Sequence, residues 1–405
     1  MSDRAAWAIG GEGPRRWALC DRLGVPAGHA VVLPHQRATL ARTFRLNPAE
    51  LSGSARRILA QLAADRADGR LAVGWIGYEV GAALEGVASR GPSTWPDAAW
   101  WLCDPTAVEF QPCRQHPPVG DPPAPRSLRR QAPRYRCQVG EIVERIAAGE
   151  FYQVNLTVAA AANRVAECGP VEALGALLSA QPVPLGWAMA VPGRSGRLAA
   201  SGSMERFLRI DGDRIATRPI KGTAPRGRSA RADAALAADL LARPKERAEN
   251  TMIVDMARND LQRVCAPHTV EVLSLLQTVA YETLWHLESE VAGQLRTRDL
   301  AAILAATLPP ASVTGCPKVQ AMKAIAELER RRRGLYCGAT FCLDPAGAAD
   351  FAVAIRTLRI DRHRARLDVG AGIVADSNPE AEWRETCRKA VGGLRAAAHL
   401  VAGDG

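Results

Sequence analysis

No stretch of this chain approaches the ~20 consecutive apolar residues of a membrane span, so no helical membrane anchor is expected. The N-terminal residues MSDRAAWAIGGEGPRR carry no apolar block of signal-peptide length before glycines and arginines interrupt them. The ten cysteines, at 20, 103, 113, 137, 168, 265, 316, 337, 342 and 387, form no CxxC pair. They read as reduced thiols packed as small hydrophobes in a cytoplasmic protein. Seven histidines show no metal-ligand spacing, and the chain has neither a Walker A lysine motif nor a GxSxG elbow. A zinc centre, a P-loop nucleotidase and a serine hydrolase are thereby excluded.

Lysine is also scarce. Only five of the 52 basic side chains are lysine, at 221, 245, 318, 323 and 389. The formal net charge of +10 therefore comes from arginine spread along the whole chain. That distribution reads as compositional drift on a solvated surface, and no nucleic-acid partner is expected. Where arginine is the default cation, a lysine marks a site that needs a compact amine able to lose its proton.

What is present is an ordinary globular composition, 47% hydrophobic and 23% charged. Its 405 residues suffice for two to three domain-sized units or one large intertwined unit. Residues 1–110 alternate short apolar runs with turns and form an N-terminal subdomain; 71–79 (LAVGWIGYE) reads as a strand. Residues 111–134 are dense in proline and arginine, and read as a linker or surface loop. Residues 135–400 form the main domain. Its pattern predicts helices over 135–149, 230–264 with a break at Pro244, 297–308, 317–332 and 379–400. Strands are expected at 152–160, 187–191, 197–200, 207–210, 214–219, 336–343, 352–360 and 366–371. Strands arriving in runs, interrupted by helices, argue for an α+β fold with antiparallel sheets.

Two patterns mislead. Residues 370–375 (GAGIVA) match a dinucleotide-binding GxGxxA, but IVADSNPE follows, a turn before any helix, so the βαβ context is missing. The run Arg330–Arg333 closes a helix whose last turn favours cations, a simpler reading than a nucleic-acid patch.

The carboxylates are more informative. Glu246 and Glu249 stand three apart in PKERAENTMIVDMARND, as do Glu382 and Glu385 in NPEAEWRETCRKA, so each pair shares one helical face beside an apolar stripe. An oxygen-rich site supplied by two helices suits Mg²⁺, which leaves coordination positions for water and an anionic substrate. In Arg218–Thr223 (RPIKGT), Lys221 lies between isoleucine and glycine, where desolvation would favour a nucleophilic neutral amine. Glu205 follows a glycine turn in SGSME. Thr314 and Gly315 open a helix start in TGCPK, an anion-friendly end.

The motifs FYQVNLT (151–157), SGSMERF (201–207), RPIKGT (218–223), KERAENTMIVDMARNDLQRV (245–264), SVTGCPK (312–318), AIRTL (354–358) and VGAGIVADSNPEAEWRETCRKA (369–390) together resemble the chorismate-binding enzymes, in that family's order. The likeness covers about 135–400; residues 1–110 are similar only through GWIGYE. It implies a large antiparallel β-sandwich core flanked by helices and Mg²⁺-dependent chemistry on chorismate. By resemblance, Glu249 and Glu385 hold the metal with Glu246 and Glu382 in or near its shell. Tyr336, Arg356, Gly370, Gly372 and Lys389 hold the substrate, with Thr314 and Gly315 beside it. Thr223 and His286 orient it, although His286 reads equally as a hydrogen-bonded core histidine.

Within the family, the anthranilate synthase branch typically carries alanine in PIAGT, whereas the aminodeoxychorismate synthase branch carries PIKGT, as here. The water-using members typically place a base lysine where this chain has Gln153. A glutamine cannot deprotonate water, which fits ammonia as nucleophile. The resemblance thus implies amination of chorismate through a Lys221 adduct, with Glu205 as the acid, and anthranilate formation as the alternative. A basic non-catalytic scaffold has no need of Lys221 beside four helical glutamates. No glutaminase domain is recognisable, so a separate glutamine amidotransferase subunit is the expected ammonia source. Departures are Met204 where the family has proline, YCGATFC at 336–342 in place of YCGAIGY, and no recognisable tryptophan-binding motif.

Overall fold

The computed structural model describes residues 5–401 apart from 12–15, 27, 39, 118, 119, 121, 123, 282 and 283. It contains two large sheets. The first runs in the order Gly315–Cys316, Gln153–Arg164, Arg364–Ile373, Thr357–Asp361, Arg197–Ser203, Leu185–Ala190, Ala5–Gly10, His29–Pro34 and Glu109–Pro112. The second runs Ile220–Pro225, Leu284–Gln294, Arg214–Arg218, Arg206–Asp211, Ala349–Val353, Ala339–Leu343, Leu71–Ile76, Ala98–Cys103 and Leu40–Phe44, with Glu271–Ala280 also paired to Leu284–Gln294. The named strand pairs are all antiparallel.

Strand periodicity explains the sandwich. Trp7, Ile9, Val31 and Leu33 of the first sheet pack in one buried cluster with Val73, Trp75, Ala99 and Trp101 of the second. Trp75 and Trp187 meet edge to face across the two sheets, centroids 5.9 Å apart. The alternate residues Ala8, Ala30, Val32, Ala72, Trp100 and Leu102 point the other way, into a second cluster that the helices cover. Both faces are therefore apolar, which is why these strands read as continuous hydrophobic runs. Each fully buried large side chain contributes about 1.5–3 kcal/mol.

Strands from both sides of the expected boundary at 110 share both sheets, so residues 1–110 are woven into the same core. The proline-rich segment is partly structured: it continues the strand Glu109–Pro112 and contains the helix Arg126–Arg129 and the start of Ala132–Ala147. Within it, 118, 119, 121 and 123 lie outside the described residues. The strand expected over 71–79 stops at Ile76, and a helix, Tyr78–Leu84, begins. There Glu79 turns inward and accepts from the amides of Arg333 (2.7 Å) and Gly334 (2.8 Å). The helical block 230–264 divides at Pro244 into Ala230–Ala242 and Pro244–Gln262, with the proline in the first turn where its missing N–H costs nothing. Helix Pro170–Ala180 and strands Glu271–Ala280 and Leu284–Gln294 have no counterpart in the sequence reading. Among the described residues no helix is long and apolar enough to cross a membrane.

The single strand expected at 352–360 is two. Ala349–Val353 belongs to the second sheet and Thr357–Asp361 to the first, with Arg356 at the crossover in a left-handed conformation (φ 53°). Arg197–Ser203 and Arg206–Asp211 cross between the same sheets, with Glu205 at the switch. The two crossovers are hydrogen-bonded side by side: Val353 N donates to Glu205 O (3.0 Å) and Gly202 N to Arg356 O (3.2 Å).

Candidate active site

The expected catalytic side chains gather around those crossovers. Lys221 lies on the strand Ile220–Pro225, opposite Leu287, and its Nζ donates to the Ser312 carbonyl at 3.1 Å. The register with Leu284–Gln294 slips at Gly222, whose φ of 78° suits glycine, and Thr223 then pairs with His286. Glu205 is 5% exposed. Burial pushes its carboxyl up to about 7, against the opposing pull of the Ser312 hydroxyl, Lys221 and the Ile220 amide. A carboxylic acid near neutrality that lies close to an amine is the pairing general-acid chemistry requires.

Gln153 begins the strand Gln153–Arg164 and is 1% exposed, its Oε1 buried without a hydrogen-bond partner. A Cβ on Gly372 would lie 2.6 Å from the Gln153 amide nitrogen and 3.4 Å from Lys221 Nζ, so glycine there lets both groups converge. Gly315 clamps the same strand from the other side, since a Cβ there would meet the Gln153 carbonyl at 2.2 Å.

His286 is 3% exposed. Its Nδ1 contacts the Gly222 carbonyl at 3.0 Å and Thr223 Oγ1 at 3.3 Å. A carbonyl only accepts, so Nδ1 carries the proton and Nε2, buried without a partner, presents a lone pair. Burial lowers the imidazole to about 4, helped by Arg356 and Lys389 against the Gly222 carbonyl, and it is neutral. The Tyr281 ring stands edge-on to it at 5.4 Å.

Both glutamate pairs lie on helices held to the sheets. Asn250 donates to the Leu287 carbonyl (3.2 Å) and accepts from Ser289 Oγ (2.6 Å), which seats Pro244–Gln262 against the strand Leu284–Gln294. Asn378 caps Pro379–His399, whose Thr386 bonds the Tyr135 hydroxyl at 2.9 Å. Burial raises the Glu246 carboxyl, helped by the charge of Glu385. Burial also raises Glu249, against Lys221 and Lys245. For Glu385, burial pushes upward, but Lys389 at 2.6 Å, Lys245 and Lys221 outweigh it and its carboxyl is lowered. Glu382 accepts from Lys245 (2.8 Å) and Ser377 (2.7 Å), and its Oε2 is buried without a partner.

The donor set is all oxygen, and the orphaned Glu382 oxygen is a free acceptor, which fits a hard cation. Among the described residues, however, no three His, Cys, Asp or Glu side chains stand as one metal-holding group. The Lys245 ammonium stands between Glu249 (3.8 Å) and Glu382 (2.8 Å) instead, and Lys389 pairs with Glu385.

Arg356 Nη1 donates to the Lys389 carbonyl at 2.6 Å. Burial lowers its guanidinium, while Tyr336 and Glu385 act in the opposite sense, so Tyr336 belongs to the same neighbourhood. Burial drives the Tyr336 phenol well above its ordinary value. Thr314 is fully buried and its hydroxyl donates to the Pro310 carbonyl at 2.6 Å, so that donor is used within the turn. Gly370 packs against the neighbouring strand, where a Cβ would meet the Leu156 carbonyl at 2.3 Å.

Two residues near this cluster, Ser312 and Tyr281, were not singled out by sequence, and Lys245 was marked only as one of the five scarce lysines. Ser312 lies within SVTGCPK and Lys245 heads KERAEN, but Tyr281 carries no motif signal. Of the arginine run, Arg330 is exposed and the other three turn into ion pairs rather than forming a surface patch. Arg333 is 1% exposed and pairs with Glu329 at 2.6 Å, Arg331 pairs with Asp368 at 3.0 Å, and Arg332 pairs with Asp97.

Comparison with known proteins gives the family and the fold. The family model for chorismate binding enzymes matches residues 32–393. The chain belongs to the chorismate-binding enzyme family. It is 38% identical over 269 residues to anthranilate synthase component 1 of Arthrobacter globiformis, covering 65% of this chain and 50% of that one. It is also 38% identical over 327 residues to aminodeoxychorismate synthase of Streptomyces pristinaespiralis, covering 78% of this chain and 44% of that one. The chain thus spans about half the length of these curated relatives. Among solved structures it resembles an isochorismate synthase of Bacillus anthracis (TM-score 0.72, 20% identity, 98% of this chain and 97% of that one). It also resembles anthranilate synthase component I of Streptococcus pneumoniae (TM-score 0.69, 23% identity, 95% of each). The sandwich with flanking helices is the fold of these chorismate-utilising family members.

Proposed function

We propose that this member of the family is an aminodeoxychorismate synthase component I, converting chorismate and ammonia to 4-amino-4-deoxychorismate and water for p-aminobenzoate and folate supply. The observation that carries the reading is the meeting of Lys221 and Gln153 at Gly372, with the Glu205 acid held near neutrality. In this mechanism the Lys221 amine adds to the ring at C2, both ring double bonds shift toward C4, and the C4 hydroxyl leaves as water with the proton of Glu205. Ammonia then adds at C4 and expels the lysine. Gln153 Oε1, a buried acceptor without a partner, is suited to an N–H of ammonia and cannot activate water as a base would. Arg356, with Tyr336, Lys389 and the Gly372 amide, would hold the enolpyruvyl carboxylate, and the neutral His286 and Thr223 would orient the ring. Glu249 and Glu385, with Glu246 and Glu382, would hold Mg²⁺. When bound, the ion supplies positive charge for the ring carboxylate. Ammonia would come from a separate glutamine amidotransferase subunit.

Anthranilate formation is the second reading, favoured by the equal identity to relatives of that name. Incubation with chorismate, Mg²⁺ and ammonium separates the two. Aminodeoxychorismate without anthranilate fluorescence is expected, and anthranilate as the product would sink the proposal. Intact-protein mass spectrometry with chorismate and no ammonia should reveal an adduct lost in Lys221→Arg and Lys221→Ala. The Arg variant should be folded and slower by ~10²-fold or more.

A further inference from the structure

Ser312 touches both groups that move in this reaction. It lies in the short 3-10 turn Ala311–Val313, just ahead of the strand Gly315–Cys316. Its carbonyl holds Lys221 Nζ at 3.1 Å. Its side chain is 7% exposed, and Oγ is buried without a well-formed hydrogen bond. That hydroxyl stands by the Glu205 carboxyl, where it favours the ionised form. Ser312 and Glu205 also line one small cavity, with Pro310, Ala311 and Ile253.

We propose that Ser312 is a positioning residue, its carbonyl fixing Lys221 and its hydroxyl kept for Glu205 once that carboxyl has given up its proton. The inference rests on the reaction proposed above. Glu205 begins protonated and ends as a buried anion, a charge with few donors around it. A hydroxyl that finds its acceptor only as the charge develops strengthens along the reaction coordinate. Such an interaction raises kcat and leaves ground-state binding alone. The main-chain carbonyl survives substitution, so the two functions of Ser312 can be separated.

Ser312→Ala removes the hydroxyl and Ser312→Thr keeps it. In the Ala variant kcat should fall about tenfold to a hundredfold with the KM for chorismate unchanged. The alkaline limb of the pH–rate profile should move up by about one pH unit, because a lost donor holds Glu205 protonated longer. Infrared difference titration of the substrate-free protein, with Glu205→Gln assigning the carboxyl band, should show the same upward shift. The Thr variant should return both to wild type. An unmoved Glu205 titration in Ser312→Ala, whatever its activity, overturns the proposal. Should that variant not fold, Ser312→Cys retains the volume with a weaker donor and is read in the same way. If the wild type makes no aminodeoxychorismate, the reaction proposed above fails, while the infrared shift still decides the contact between Ser312 and Glu205.

Discussion

Adding one methyl group at Gly372 tests whether Gln153 has to sit where it does. The Cβ of Gly372→Ala would lie 2.6 Å from Gln153 Nε2 and 3.4 Å from Lys221 Nζ. Ordinary contact between heavy atoms starts at about 3.4 Å, so the amide has to retreat by about 0.8 Å while the lysine need not move. Gln153 has little room, being 1% exposed with its own carbonyl packed under Gly315. The strain should cost about 1–3 kcal/mol, which a protein of this size survives folded. A misplacement approaching 1 Å costs on the order of 10²-fold in rate. Steady-state kinetics should therefore show kcat/KM for ammonium reduced about a hundredfold. The Lys221 adduct with chorismate should still form in the mass spectrum. Adding Gln153→Ala relieves the clash while deleting the amide, so it should restore stability but not ammonia use. Wild-type kcat/KM for ammonium in Gly372→Ala would refute the assignment of Gln153 to the nucleophile.

Removal of Mg²⁺ by EDTA should abolish turnover, and Glu385→Gln should do so without changing the melting temperature; full activity in that variant would take Glu385 out of the metal site. Glu329→Gln should destabilise the fold by about 3–5 kcal/mol in urea titration, because it strips the carboxylate from a fully buried Arg333. His116 and His399 stack at 4.7 Å, and burial lowers both imidazoles, helped by Arg114 on the first and by His116 and Arg395 on the second. The unfolded chain then binds protons more readily near its ordinary value of about 6.5, so stability is lost as pH falls through that value. The melting temperature should drop between about pH 7 and 5, and less so in His116→Gln; equal slopes would remove this pair as the cause. The purified chain should use ammonium alone, and glutamine-dependent product without a partner subunit would contradict the expected division of labour.

Helices with caps and a 3.6 period were the most legible elements. Pro379–His399 lies within a residue of its expected bounds because Asn378 and Pro379 mark its start unambiguously. The strands at 352–360 were misjudged because Val353 and Thr357, both β-branched, belong to different sheets. No local pattern records that the chain changes sheets between them. The strand Glu271–Ala280 was missed for a related reason. Among the described residues it pairs on one edge only, its register slips twice, and Val272, Leu273 and Leu275 are exposed, so its apolar residues do not alternate in the way that signals a half-buried strand.

The site was legible to the extent that its chemistry depends on rare residue types. Lys221, Lys245 and Lys389 stand among the glutamates, and Lys318 pairs with Asp260 at 2.6 Å, leaving only Lys323 exposed without a site contact. A compact ammonium fits between closely spaced carboxylates where a planar guanidinium would force them apart, so lysine persists at such positions in a chain whose other cations are arginine. Ser312 escaped notice because serine is common and its importance lies partly in a backbone carbonyl, which any residue would supply. Glu205 and Arg356 show the complementary case. Each sits where the chain passes from one sheet to the other, Glu205 near Lys221 and Arg356 near Tyr336 and Glu385. Sequence indicates which residues carry charge. Only the crossing of the sheets brings the segment of the acid and the segment of the guanidinium into hydrogen-bonded contact, and that adjacency depends on long-range pairing that no window of sequence contains.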